Sequence, residues 1–133
     1  MAQYVNVIPQ TLTAGQALPL LNNSIKGCCN IRHREGSPLI TLIGSGCCKS
    51  PNLYRISAHL VVAGATTPIT LALAVDGVVI PETTIALPAV AADTPVSGST
   101  EYIVAVDGCS SKVSVVAITA ATVNSAVVTA SKV

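Results

Sequence analysis

The chain has 133 residues, a length that makes one domain, residues 1–133, rather than two. Half of its residues are hydrophobic, which excludes a disordered chain. Charged residues are 10% of the total and the net charge is +1, so no electrostatic footprint for nucleic acid is present. Val, Ile and Thr supply about a third of the sequence, the composition of pleated sheet.

In chain order, alternating or short apolar runs predict strands at Tyr4–Ile8, Ala17–Leu20, Ile31–Arg34 and Leu39–Ile43. The clearest alternation follows: Tyr54, Ile56, Ala58, Leu60 and Val62 interleave with Arg55, Ser57, His59 and Val61. Ile69, Leu71, Leu73 and Val75 interleave with Thr70, Ala72 and Ala74, and Asp76-Gly77 then turns the chain into Val78–Ile80. Asp-Gly between alternating runs is a strong hairpin signal, because a type I′ turn needs positive φ at both positions. Further strands are expected at Thr83–Leu87, Tyr102–Val106, Lys112–Thr119 and Ala126–Ala130. Eight prolines and nine glycines punctuate the gaps, and no segment carries a convincing 3.6-residue period. Roughly eight to ten short strands in one chain predict an all-β sandwich or barrel.

Every apolar run is cut well short of the ~20 residues of a spanning helix, and three tyrosines cannot build the aromatic girdles of an outer-membrane barrel. No membrane insertion is expected. Met1-Ala2-Gln3-Tyr4 shows no basic region leading into an apolar core, so no signal peptide is expected either.

Tyr102–Val106, Lys112–Thr119 and Ala126–Ala130 are largely apolar on both faces. Two-sided apolarity points to a second buried surface; the alternative is that small exposed Ala and Val are simply tolerated. The oligomer reading assigns Tyr102, Val104, Val106, Val113, Val115, Val116 and Ile118 to a subunit interface.

The order of motifs resembles the jelly roll of the C1q/tumour-necrosis-factor-like family, especially its bacterial and bacteriophage members. Thr13-Ala14-Gly15-Gln16-Ala17-Leu18-Pro19-Leu20 is similar to that family's early strand. Leu53-Tyr54-Arg55-Ile56-Ser57 resembles its Gly-x-Tyr-x-Val/Ile strand, and Leu71 to Gly77 its central strand and hairpin. Tyr102 to Val116, with Asp107-Gly108 between, resembles its late strand pair, and Asn124 to Val133 would be the last strand. The resemblance implies a single-domain jelly-roll sandwich, a homotrimer, and a binding or structural role without catalysis.

The residues that could carry chemistry are few. Five cysteines fall as Cys28-Cys29, Cys47-Cys48 and Cys109. Neighbouring Cα atoms sit about 3.8 Å apart, too close for an unstrained bond within either pair. Across a hairpin formed by Ile31–Arg34 and Leu39–Ile43 the two pairs could face each other. Cys28, Cys29, Cys47 and Cys48 are therefore buried thiols, one cross-hairpin disulfide, or zinc ligands at an unfavourable spacing. His33 and His59 lack an accompanying nucleophile signature, and Arg32-His33-Arg34, offset by Glu35, reads as a solvated hairpin face. No calcium loop, phosphate cradle or nucleophile elbow is present. No cofactor is called for.

Together these features predict a non-enzymatic structural component of a bacteriophage virion: a head-decoration, cement or fibre-type subunit. It would assemble in the host cytoplasm, contact other virion proteins, and be extracellular after release. The alternative is a receptor- or carbohydrate-binding module of a fibre or cell surface.

Overall fold

The computed structural model describes residues 1–27, 30–46 and 50–133. Twelve strands form in chain order: β1 (Ala2–Asn6), β2 (Gln10–Leu12), β3 (Asn22–Ile25), β4 (Ile31–Arg32), β5 (Ile40–Gly46) and β6 (Asn52–Ala63) in the first half. The second half holds β7 (Ile69–Val75), β8 (Val78–Val79), β9 (Ile85–Leu87), β10 (Pro95–Val106), β11 (Gly108–Ala117) and β12 (Ala121–Lys132), with a 3-10 turn at Pro81–Thr83. They make two six-stranded antiparallel sheets. The first runs β10-β6-β12-β1-β3, with β2 on β12; the second runs β4-β5-β11-β7-β8, with β9 on β7. This is a jelly-roll sandwich.

Alternation along each strand decides what lies between the sheets. Tyr54, Ile56, Ala58, Leu60 and Val62 of β6 face inward and are at most 2% exposed, while Arg55 and His59 face out. They meet Leu71 and Leu73 of β7, Val113 and Val115 of β11, and Leu42 of β5 in one core. The Asp76-Gly77 turn has φ of 52° and 83°, the double positive φ that the dipeptide predicts. At Gly108, φ is 82° and the chain leaves the first sheet for the second, a backbone state that favours glycine.

Three expectations change in detail. Tyr102–Val106 and Ala126–Ala130 are parts of twelve-residue strands, because Ser, Thr and Gly continue the ladder where apolar residues stop. Ala17–Leu20 is not a strand. It lies along β11 through an isolated bridge from Ala17 to Val116 and a bond from Leu18 N–H to Val115 O at 2.7 Å. Residues 10–12 and 22–25, too polar to signal strands, pair as β2 and β3 at the margin of the first sheet.

Two buried polar side chains, Thr83 and Asn6, are satisfied locally. The Thr83 hydroxyl accepts from Leu73 N–H at 2.9 Å and donates to Ile80 O at 2.7 Å. The buried Asn6 amide donates to Pro19 O and accepts from Leu21 N–H, both at 2.6 Å. These bonds fix the 19–21 segment against β1, and with it the entry into β3.

Candidate functional site

Two surfaces stand out, one at an open end between the sheets and one on the first sheet. Its outer face is built by register. The row Ala105–Leu53 lies beside Val133, whose N–H bonds Leu53 O at 2.8 Å. The next row is Ile103–Arg55–Ser131, followed by Glu101–Ser57–Thr129–Gln3 and Ser99–His59–Val127–Val5. At one end of this face Leu53, Ile103, Val133 and Met1 are 39%, 47%, 63% and 65% exposed. The charged side chains along these rows are Arg55 and Glu101, which pair at 3.2 Å (Nε to Oε1) with both ends in solvent. Such an exposed pair is worth at most about 1 kcal/mol. The face is weakly charged and apolar at one corner.

The expected interface set divides in two. Val104, Val106, Val113 and Val115 are 1–4% exposed and lie between the sheets of a single chain, so as surface residues they are corrected here. The cause is phase: their strands alternate, and the residues between them, exposed Ile103 and Ala105, buried Ser114 and half-buried Val116, are themselves small or apolar, so both faces read as buried. Tyr102 is half-buried against the core, Val116 is half-buried, and Ile118 is exposed on the second sheet's side.

The second surface is the open end beside β1, β3 and β4. Tyr4 points inward from β1 and its ring tilts at 44° onto His33, with centroids 4.4 Å apart. His33 is held at three points. Its Nδ1 meets Asn23 Oδ1 at 2.6 Å, its Nε2 meets Ser37 O at 2.8 Å, and its carbonyl accepts from Asn23 Nδ2 at 3.1 Å. Both ring nitrogens thus face oxygen atoms. The Tyr4 hydroxyl is buried with no hydrogen-bond partner, and burial pushes its pKa from 10.0 up to about 12.

The remaining sequence candidates are quickly placed. Cys28, Cys29, Cys47 and Cys48 lie outside the described residues. Cys109 is an exposed free thiol. His59 is exposed on the outer face of the first sheet. Among the described residues no three His, Cys, Asp or Glu side chains gather to hold a metal. The structure brings His33, Asn23 and Tyr4 together, a grouping that sequence reasoning missed. The available signal was alternation: in Ile31 to Arg34, Ile31 and His33 share one face, and Arg32 and Arg34 the other.

The fold has solved counterparts. The globular domain of a zebrafish complement 1qA protein superposes with a TM-score of 0.68 at 12% identity, covering 98% of this chain and 94% of that one. The C-terminal domain of EclA, a sugar-binding protein, gives a TM-score of 0.45 at 14% identity, covering 97% and 76%. A family 35 carbohydrate binding module from an environmental isolate gives 0.45 at 15% identity, covering 100% and 98%. The chain therefore has a C1q-like jelly-roll fold. No protein-family model and no curated protein matches the sequence.

Proposed function

We propose that this chain is a non-enzymatic structural subunit of a bacteriophage virion, a head-decoration, cement or fibre-type protein, acting as a homotrimer and through contacts with other particle proteins. The observation that carries this reading is the outer face of the first sheet, with its apolar corner of Leu53, Ile103, Val133 and Met1 and its single ion pair. Contact through such a face is driven by apolar burial, which is non-directional and scales with area. Specific interfaces of standard size bury about 1,600 Å² in total, and all five strands along this face would contribute to one. The C1q-like fold supports the reading, since it offers a rigid two-layer body with a broad sheet on each side. The protein would be assembled in the host cytoplasm, carried on the virion, and extracellular after lysis. Neither nucleic acid nor a membrane is a partner in this reading.

A salt wash of purified particles tests it. Salt screens exposed charges beyond roughly 8–10 Å, whereas apolar contact persists, so the 13.4 kDa chain should stay bound. Complete loss at moderate salt, or no association with any particle, contradicts the proposal. Competition by a soluble glycan would point instead to a recognition module.

A further inference from the structure

We infer that the open groove between β3, β4 and the 33–37 turn is a binding site for a small oxyanion, a carboxylate, phosphate or sulfate group. The groove has a volume of about 760 Å³, within the roughly 300–1,000 Å³ of small-ligand sites. Three cations, Lys26, Arg32 and Arg34, line it together with Tyr4 and Ile31. Among the described residues none of these cations is ion-paired, because the salt bridge formed there is Arg55–Glu101 on the far side of the sheet. One acid, Glu35, lines the groove, and its Oε1 already accepts Asn23 N–H at 3.2 Å. A second groove of about 410 Å³ flanks the same turn, shares Arg32, His33 and Arg34, and adds Lys112. Four of the seven Lys and Arg residues thus converge on one end of a chain whose net charge is +1.

Solvated lysines and arginines alone would not make a site. The second observation is the Tyr4 hydroxyl, on a residue only 1% exposed, which lines the groove without a hydrogen-bond partner. Buried polar groups in folded proteins nearly always have partners, so an unpaired donor on the wall of a cationic groove marks where an acceptor belongs. Because burial disfavours the phenolate, Tyr4 keeps its proton at neutral pH and has an O–H free to donate. Charge and hydrogen bonding therefore ask for the same ligand, an anion with several acceptor oxygens. Planar guanidinium groups bind carboxylate and phosphate in two-point fashion, which assigns Arg32 and Arg34 the charged group and Tyr4 a third oxygen. His33, clamped by Asn23 and Ser37, holds the Tyr4 ring in position.

The site is tested by recording amide spectra of the full chain during titration with sulfate, phosphate, glucuronate or glucose, with ionic strength held constant by chloride. Saturable shifts confined to Tyr4, Asn23, Lys26 and residues 31–35 are expected with sulfate or phosphate, and none with glucose or chloride. Matching shifts with glucuronate identify an acidic saccharide as a competent ligand; shifts with sulfate and phosphate alone restrict the site to compact anions. The double variant Arg32→Gln/Arg34→Gln, at two exposed positions, should weaken binding at least roughly tenfold, the factor that 1.4 kcal/mol represents. Tyr4→Phe should weaken it several-fold while the spectrum keeps its dispersion. No saturable shift with any of the three anions overturns the inference. So does wild-type affinity in either variant. The titration reads the groove in a monomer or a trimer alike, so its outcome is independent of the assembly proposed above.

Discussion

Tyr54 and Tyr4 occupy equivalent places in opposite halves of the first sheet, both inward and 0% and 1% exposed, yet they end differently. Tyr54 lies in the β6–β10 half, opposite a full-length β5, and its hydroxyl donates to Ile43 O at 2.6 Å. Asn52 Nδ2 reaches the same carbonyl at 3.1 Å. Tyr4 lies in the β1–β3 half, opposite the two-residue β4, where the facing sheet offers a His33 ring and no acceptor. Strand alternation places both rings identically. The length of the strand across the sandwich decides which phenol is completed within the chain and which is left at an open end.

The contrast can be broken most severely in the closed half. Val104 pairs with Tyr54 and is 4% exposed. Val104→Asp should destabilise the fold by about 3–5 kcal/mol, the cost of an uncompensated buried charge, and chemical denaturation should show it as unfolded or nearly so. A Val104→Asp chain of wild-type stability would remove Val104 from the core and return it to the surface.

Alkali addresses the open half. The raised Tyr4 pKa means that the unfolded chain loses its phenolic proton above pH 10 while the folded chain holds it to about 12. Stability from this group is therefore fully present below pH 10 and is lost as pH rises toward 12, by up to about 2–3 kcal/mol at 1.36 kcal/mol per unit. Unfolding midpoints measured from pH 9 to 12 should fall, and the part owed to Tyr4 should vanish in Tyr4→Phe. Identical slopes in the two proteins would contradict the burial of the Tyr4 hydroxyl.

A smaller effect compares the two rings directly at neutral pH. Tyr54→Phe removes a made hydrogen bond and should cost about 1 kcal/mol. Tyr4→Phe removes an unmade one and should change stability by no more than about 0.5 kcal/mol, in either direction. Equal losses would mean that the two ends are not different after all.

Much of this architecture is legible in the sequence, and for a definable reason. Where one face packs on a core and the other does not, period-two alternation is unambiguous, as in Tyr54 to Val62. Asp76-Gly77 is legible because two positive φ values in succession admit few dipeptides. Two kinds of feature are not legible. Strands at the sheet margin, such as Asn22–Ile25, are polar on both faces and give no period, although the ladder with β1 holds them. The basic stretch Arg32-His33-Arg34 looks like a solvated hairpin face when taken alone. Its role appears only when Asn23, ten residues earlier, and Ser37 close on His33 and turn the arginines along the rim of one groove. Val104, Val106, Val113 and Val115 mislead for a related reason: apolar character identifies burial, but not which partner does the burying.

We propose that the outer face of the first sheet, and not β11, joins copies of this chain. Size-exclusion chromatography with light scattering on the wild-type protein and on Ile103→Asp tests it most directly, because Ile103 neighbours Val104 in sequence but is 47% exposed. The wild type should run with the mass of three 13.4 kDa chains, and Ile103→Asp should give a folded monomer with unchanged far-ultraviolet circular dichroism. A stable, well-folded wild-type monomer, or a trimer undisturbed by Ile103→Asp, would contradict the account.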